Sequence, residues 1–380
     1  MKESGNIKKI FAYILSLVII TFIIPFCFTR ASAQGKTIKA DDVQNISEKQ
    51  TEEKDNQSNQ QDANKVTDYS QIDTTPYNYK DYSTIKVLHT KTNTIEEMNL
   101  DEYLYGVVSA EMPVDFDIEA LKAQAIVART YTIYKIQQNQ SKHGEAHICD
   151  NPACCQAWIT KEDRLARWDE DKRENNWNKI MYAVNETKGK IIIYDGKPIN
   201  AFFHSNSGGA TEAPVNVWGG SGYPYLQTVE TAGEEGYDQY SSEVELSKDE
   251  FVSKLKEKYS DFNINFDDAN SIQILENTTG GRIKTIKIGN HNLSGVEVRT
   301  IFGLKSANFI IETGENVKFK VTGYGHGVGM SQTGADSLAK QGYKCEEIIK
   351  HFYVGVDVVS MWVKQTWTDL IWNICDTKNV

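Results

Sequence analysis

The sequence predicts an α+β fold, and three observations carry that prediction. Stretches with helical periodicity (117–138, 176–188, 247–259) occur among short stretches of β-type alternation (272–276, 283–288, 308–313, 317–322). Their spacing never settles into the regular strand–helix–strand rhythm of a parallel sheet. No internal repeat is present, and the mixed region is bounded by an uncharged run and a polar stretch before it and an aromatic tail behind it. One large domain over 82–356, or two lobes with a cleft between them, fits that length.

Each element has its own justification. Lys2, Lys8 and Lys9 precede an uncharged run over 10–29, long enough to cross a bilayer as a helix of about 20 residues. The basic flank places the N-terminus in the cytoplasm and everything after it outside. Ala31-Ser32-Ala33 also resembles a signal-peptide cleavage site, but the run exceeds a usual signal core, so 1–33 is read as an uncleaved transmembrane anchor. Residues 34–81 are polar with few large apolar side chains and read as a flexible tether. β-type residues recur from Tyr82 onward, as in Ile85-Lys-Val-Leu-His89. Residues 117–138 form the longest expected helix. Asp115 or Asp117 can cap it, and Ile118, Leu121, Ala125, Ala128 and Thr132 share a stripe. Helix 176–188 ends at Gly189. Residues 190–194 and 199–204 flank Asp195-Gly196 as a hairpin. Ser247 caps 247–259, with Glu250 completing a capping box. Residues 335–340 and 345–353 are helical again. The tail, 357–380, is rich in tryptophan and is expected to pack back on the domain.

Composition removes some functions. The 380 residues carry 41 Lys+Arg against 52 Asp+Glu, a formal charge of −11, which argues against nucleic-acid binding through a field of cations. Six cysteines do not make a disulfide scaffold.

Three segments hold side chains with chemistry. In the first, Leu100-Asp-Glu-Tyr-Leu-Tyr-Gly-Val-Val-Ser-Ala-Glu111-Met-Pro113, the approach to Glu111 is apolar and Pro113 forces Met112 to be extended. A carboxyl on a rigid turn beside an apolar wall can hold its proton at neutral pH. In the second, Gly323 to Gly329 surround His326 with four glycines, but the run lacks the Lys-Ser/Thr ending of a phosphate loop. His326, Ser331 and Gln332, with His204 and Ser205, offer polar groups either to a ligand or to their own backbone. In the third, His143, His147, Cys149, Cys154 and Cys155 cluster in a short loop. Their spacing suits a tetrahedral zinc site and equally a disulfide. Cys27, Cys345 and Cys375 are scattered, as free thiols or with a Cys345–Cys375 pair.

Leu100–Met112 continues into Glu119-Ala-Leu-Lys-Ala-Gln-Ala-Ile-Val-Ala-Arg129-Thr-Tyr131. With Phe203-His-Ser-Asn-Ser-Gly-Gly-Ala-Thr-Glu212 and Gly323-Tyr-Gly-His-Gly-Val-Gly-Met-Ser-Gln332-Thr-Gly-Ala335, it closely resembles the stage II sporulation protein D family, collinearly from about residue 84 to 355. The resemblance implies a lytic transglycosylase that cuts peptidoglycan glycan strands during engulfment in sporulation. It implies Glu111 as the single acid/base, and Arg129, His204, Ser205, His326, Ser331 and Gln332 as residues of the substrate cleft. Arg129 also admits a structural ion pair. Clostridial members of the family resemble the third segment and hold zinc there, which implies His143, Cys149, Cys154 and Cys155 as ligands of a structural zinc ion. This chain has Cys154 where that pattern has histidine, so His147 stays open as a substitute for His143. The implied setting is the space outside the membrane, with a cell-wall amidase and an integral membrane protein as partners and peptide-stripped glycan as substrate. Two other functions remain: a non-catalytic wall-binding activator of an amidase, and a hydrolase pairing Glu111 with Asp115, Asp117 or Glu119.

Overall fold

The computed structural model describes residues 69, 71–138 and 142–361. The expected anchor, the tether up to residue 68, Cys27, Cys375 and the tail from residue 362 lie outside the described residues. Among those described, no helix is long and apolar enough to cross a membrane.

The fold is α+β with two hydrophobic cores. In the first lobe, β1 (Thr84–His89) and β2 (Thr94–Asn99) form an antiparallel hairpin. Asn99 caps α1 (Leu100–Glu111) by accepting the Asp101 N–H, and Met112, extended at φ −118° and ψ 141° before Pro113, ends it. Glu111, expected on a turn, is the last residue of this helix. Next comes α2 (Ile118–Gln138), buried on nearly every side from Ala120 to Ile133, where Ala120, Ala123, Ala125 and Ala128 let other helices approach closely. β3 (Ile148–Cys149) pairs in parallel with β1. α3 (Lys161–Leu165) and α4 (Arg173–Asn185) lead to β4 (Lys190–Tyr194).

The expected hairpin after β4 is half correct. Asp195 (φ 49°) and Gly196 (φ 71°) make the tight turn, but only Lys197–Pro198 (β5) pairs back. Pro198 cannot donate to the ladder, and the chain departs so that Phe203–His204 (β6) pairs in parallel with residues 330 and 331. α5 (Pro214–Trp218) follows.

The second lobe is an insertion with its own core. β7 (Ser241–Ser247), α6 (Lys248–Lys258), β8 (Ile272–Asn277), β9 (Ile283–Ile288), β10 (His291–Leu293), α7 (Gly295–Phe302), β11 (Phe309–Thr313) and β12 (Asn316–Thr322) build two three-stranded antiparallel sheets. Phe251, Phe302 and Phe319 anchor that core, with Phe251 and Phe302 stacked 4.9 Å apart. The Ser247–Glu250 capping box is formed as read. β7, β10 and α7 have no counterpart in the expectations from sequence.

The chain then rejoins the first lobe through β13 (Met330–Ser331), α8 (Gln332–Lys340), α9 (Cys345–Phe352) and β14 (Asp357–Ser360). β14 pairs with β4, so folded structure continues past the expected boundary at 356. It also begins before residue 82. Tyr79 is 1% exposed and bonds both Asp101 and Arg129, because its ring fills the core and its hydroxyl bridges two buried charges.

Candidate active site and metal cluster

Glu111 lies on the floor of a cleft of about 800 Å³ whose walls come from both lobes: Phe202, Trp218 and His326 on one side, Val296 and Arg299 of α7 on another. A second pocket of about 320 Å³ opens on the other flank of the same carboxyl. Glu111, Ser205 and Gln332 line both, so the groove runs past the acid in two directions.

The carboxyl is held asymmetrically. The Ala157 N–H donates to Glu111 Oε1 at 2.6 Å, and Gln332 Nε2 stands 3.5 Å from Oε2, at the outer limit of a hydrogen bond. Burial pushes the Glu111 pKa up to about 7, against the smaller opposing pull of those two donors. Its place on the last turn of α1, the negative end of a helix, acts in the same direction as burial.

The other residues anticipated for the cleft divide. Ser205, His326 and Gln332 line it. His326 Nδ1 accepts the Val328 N–H at 3.0 Å, and burial with the nearby Arg299 and Arg282 pushes its pKa down to about 4, so the ring is neutral. Its ring is 5.1 Å from that of Trp218, which is itself 4.7 Å from Phe202. These flat faces are surfaces on which the C–H edges of a sugar ring can rest.

Two expectations, Arg129 and Ser331, need correction, and a third, His204, holds only for its place in the lining. Arg129 is fully buried away from the cleft. Its guanidinium donates to Tyr79 Oη, Thr187 O, Val184 O and Lys190 O, with Asp101 3.7 Å away, so it ties α2 to its neighbours. His204 borders the cleft but is 4% exposed, with Nδ1 on Val328 O and Nε2 on Ser207 Oγ. Burial drives its pKa well down, and both ring nitrogens serve the fold. Ser331 is buried, capping α8 at the Gly334 N–H and donating to Glu234. In each case the partners are protein groups, and at least one of them comes from a distant part of the chain.

Glu234 was not anticipated at all. Buried completely, it accepts from Ser207 N, Thr231 Oγ1, Thr333 Oγ1 and Ser331 Oγ, and so fixes the loops that carry Ser205 and Gln332. The glycines around His326 serve the same packing. Gly327 (φ +83°) and Gly329 (φ +73°) lie where a Cβ would meet the Arg282 guanidinium at 2.3 Å and the Phe202 carbonyl at 1.9 Å.

The loop that precedes Ala157 holds the metal-capable cluster. One ligand atom each from His143, Cys149, Cys154 and Cys155 falls within 4.8 Å of all the others. His143 Nε2 is 3.5 Å from both Cys154 Sγ and Cys155 Sγ. Bond lengths of about 2.3 Å to sulfur and 2.0 Å to nitrogen on a tetrahedron put S and N about 3.5 Å apart, so the donor set fits a single ion. The cysteines are free, not bridged. His147 is not part of this cluster, and its Nδ1 accepts the Lys86 N–H on the edge of β1.

Asp115, Asp117 and Glu119 do not reach the cleft. Asp117 Oδ1 accepts the Glu119 N–H, Glu119 accepts the Cys345 N–H, and Asp115 is exposed elsewhere. Glu111 is the single carboxyl lining either pocket among the described residues.

These features define a class: a two-lobed α+β protein with, among the described residues, one buried carboxyl of raised pKa in its groove. Known sequences narrow it. A family model described as stage II sporulation protein matches residues 88–194, and one described as a domain of unknown function matches 225–329, much of it the second lobe. Stage II sporulation protein D of Bacillus amyloliquefaciens is 36% identical over 277 residues, 72% of this chain and 78% of that one. The protein of the same name from Bacillus subtilis (strain 168) is 33% identical over the same shares. The chain belongs to the stage II sporulation protein D family, and with it to the proteins of sporulation. A Bacillus subtilis protein named Amidase enhancer is 26% identical over 307 residues, covering 68% of this chain and 40% of that protein.

Proposed function

We propose that the protein is a lytic transglycosylase that cleaves peptidoglycan glycan strands at the bond between N-acetylmuramic acid and N-acetylglucosamine, outside the membrane of a sporulating cell. The observation that carries this reading is Glu111, whose burial raises its pKa to about 7 and which, among the described residues, is the single carboxyl lining its groove. Ordinary glycoside hydrolysis uses two carboxyls about 5–9.5 Å apart. A single one suffices where the substrate supplies its own nucleophile.

With Oε1 occupied by the Ala157 N–H, Oε2 carries the proton. It passes to the glycosidic oxygen as the bond to the anomeric carbon breaks. The carboxylate left behind takes the proton of the sugar's C6 hydroxyl, whose oxygen bonds to that carbon, giving a 1,6-anhydro end without consuming water. Gln332 orients the acid, and Trp218 and His326 hold the sugar. His143, Cys149, Cys154 and Cys155 would hold zinc. Four protein ligands leave no open position, so the ion's contribution is to pin the loop whose next residues present the Ala157 N–H.

Peptide-free glycan is the substrate to test, with products read by mass spectrometry in ¹⁸O-water. The expectation is 1,6-anhydro ends without ¹⁸O, and a loss of at least about 10³-fold in Glu111→Ala. Full product from that variant rejects the acid assignment, and ¹⁸O at the new ends replaces it with hydrolysis. A second reading, a wall-binding activator of an amidase, is favoured by the likeness to Amidase enhancer. It predicts glycan binding without products, and amidase stimulation that survives Glu111→Ala. In either reading a cell-wall amidase and an integral membrane protein are the expected partners.

A further inference from the structure

Among the described residues, Arg299 is a cation without a carboxylate partner. It projects from α7 of the second lobe into the wall of the cleft that holds Glu111, near His326 and Trp218. Its Nε donates to Leu304 O at 3.2 Å, which fixes the side chain and leaves the two terminal nitrogens for other partners. The site is half-buried, and desolvation already works against its charge, with only the Tyr324 hydroxyl acting in its favour. No ion pair among the described residues joins it to a carboxylate. Glu212, the acidic group of the adjoining pocket, already accepts from Ala213 N, Asn216 Nδ2 and Thr278 Oγ1. Arg282 lies close enough for the two guanidinium groups to repel each other, which adds to the positive field.

A half-desolvated guanidinium aimed into a ligand groove is costly unless the ligand brings the anion. Such a planar fork matches a carboxylate through two parallel hydrogen bonds. Resting on the reading of the groove as a glycan site, the question is which group of the strand is anionic. Along N-acetylglucosamine and N-acetylmuramic acid, ring hydroxyls and acetamides are neutral. The exception is the lactyl ether of muramic acid, whose carboxyl is free only where the peptide has been removed. Where a peptide is attached, that carboxyl is a neutral amide.

We infer that Arg299 is a specificity-determining residue that binds the free lactyl carboxylate of a peptide-free muramic acid and thereby discriminates against strands that keep their peptides. The amide would leave the guanidinium buried without its anion and present a bulkier group to the wall. Preference for stripped glycan then originates in one charge pair on the second lobe, not in the acid or the aromatic faces.

Three ligands of equal length separate the possibilities: the peptide-free strand, the same strand with its lactyl carboxyls converted to methylamides, and a chitin oligomer lacking the lactyl group. Affinity is measured by calorimetry on Glu111→Gln, so that no ligand is consumed, and turnover on the otherwise native protein. The carboxylate strand should bind about 10- to 100-fold more tightly than its amide, the range of a charge-assisted hydrogen bond. That ratio should fall to near one with Arg299→Gln and recover in part with Arg299→Lys, while thermal unfolding confirms that each variant is folded. A ratio that survives Arg299→Gln overturns the role of Arg299, even if the protein cleaves glycan normally. A native protein that binds none of the three ligands overturns both this role and the glycan-cleft reading.

Discussion

Glu111 joins two opposed demands in one side chain. Burial that raises its pKa to about 7 makes it a useful acid, and the same burial costs stability once it ionises. The sign follows from linkage. Between the ordinary value of 4.5 and about 7 the folded protein binds a proton that the unfolded chain has lost, so stability is complete below that window and declines as pH rises through it. The cost at pH 8 is at most roughly 3 kcal/mol. Glu111→Gln, which is neutral and keeps an acceptor for the Ala157 N–H, is therefore expected to unfold at a higher temperature than the native protein at pH 8 and at nearly the same temperature at pH 4. An equal difference at both pH values rejects burial as the cause. Turnover should fall as pH rises past about 7, and a rate independent of pH from 5 to 9 contradicts an acid in that range. The residue was legible in sequence as a Glu-Met-Pro motif behind Val107 and Val108. What holds it was not: Ala157 and Glu234, and the contact that Gln332 makes with the acid, arise from tertiary structure that no local spacing encodes.

Among the elements, the loop over 142–156 links the candidate metal cluster to the acid. Cys155 contributes a sulfur to that cluster, Gln156 donates to Tyr103 Oη and Thr132 Oγ1, and Ala157 donates to Glu111. Elemental analysis of the isolated protein is expected to give about one zinc per chain, with Cys155→Ala losing most of it. Chelation should lower the unfolding temperature and cut product yield by at least about tenfold, because the loop and its N–H donor would no longer be pinned. A protein free of zinc, or one indifferent to chelation, rejects a structural ion. Helices with clear stripes and caps, such as Ser247–Glu250, were readable, whereas α1 was not. Gly106 in its middle argues against a helix, and its reason is remote: the Trp158 indole lies against it, and a Cβ there would be 2.2 Å from Trp158 Nε1.

At the scale of the whole molecule, the two lobes were foreseen as a possibility, but the groove between them depends on contacts distant in sequence. Arg282, on β8–β9 of the second lobe, donates to Ser207 O and Ala210 O of the first, and its guanidinium fills the space beside Gly327. Arg282→Met keeps both cores and removes those bonds. It is expected to speed hydrogen exchange over 207–210 and 323–329 while leaving the amides of α2 protected, and uniform acceleration across the chain contradicts a joint of this kind. The groove is open on both flanks of Glu111, about 800 Å³ on one side and 320 Å³ on the other. On the proposed reaction, a strand need not be engaged by its end. It can lie across the acid with sugars on either hand and be severed in its interior. A few cuts would then halve the mean chain length of a wall long before much soluble sugar is released, and softening would precede dissolution.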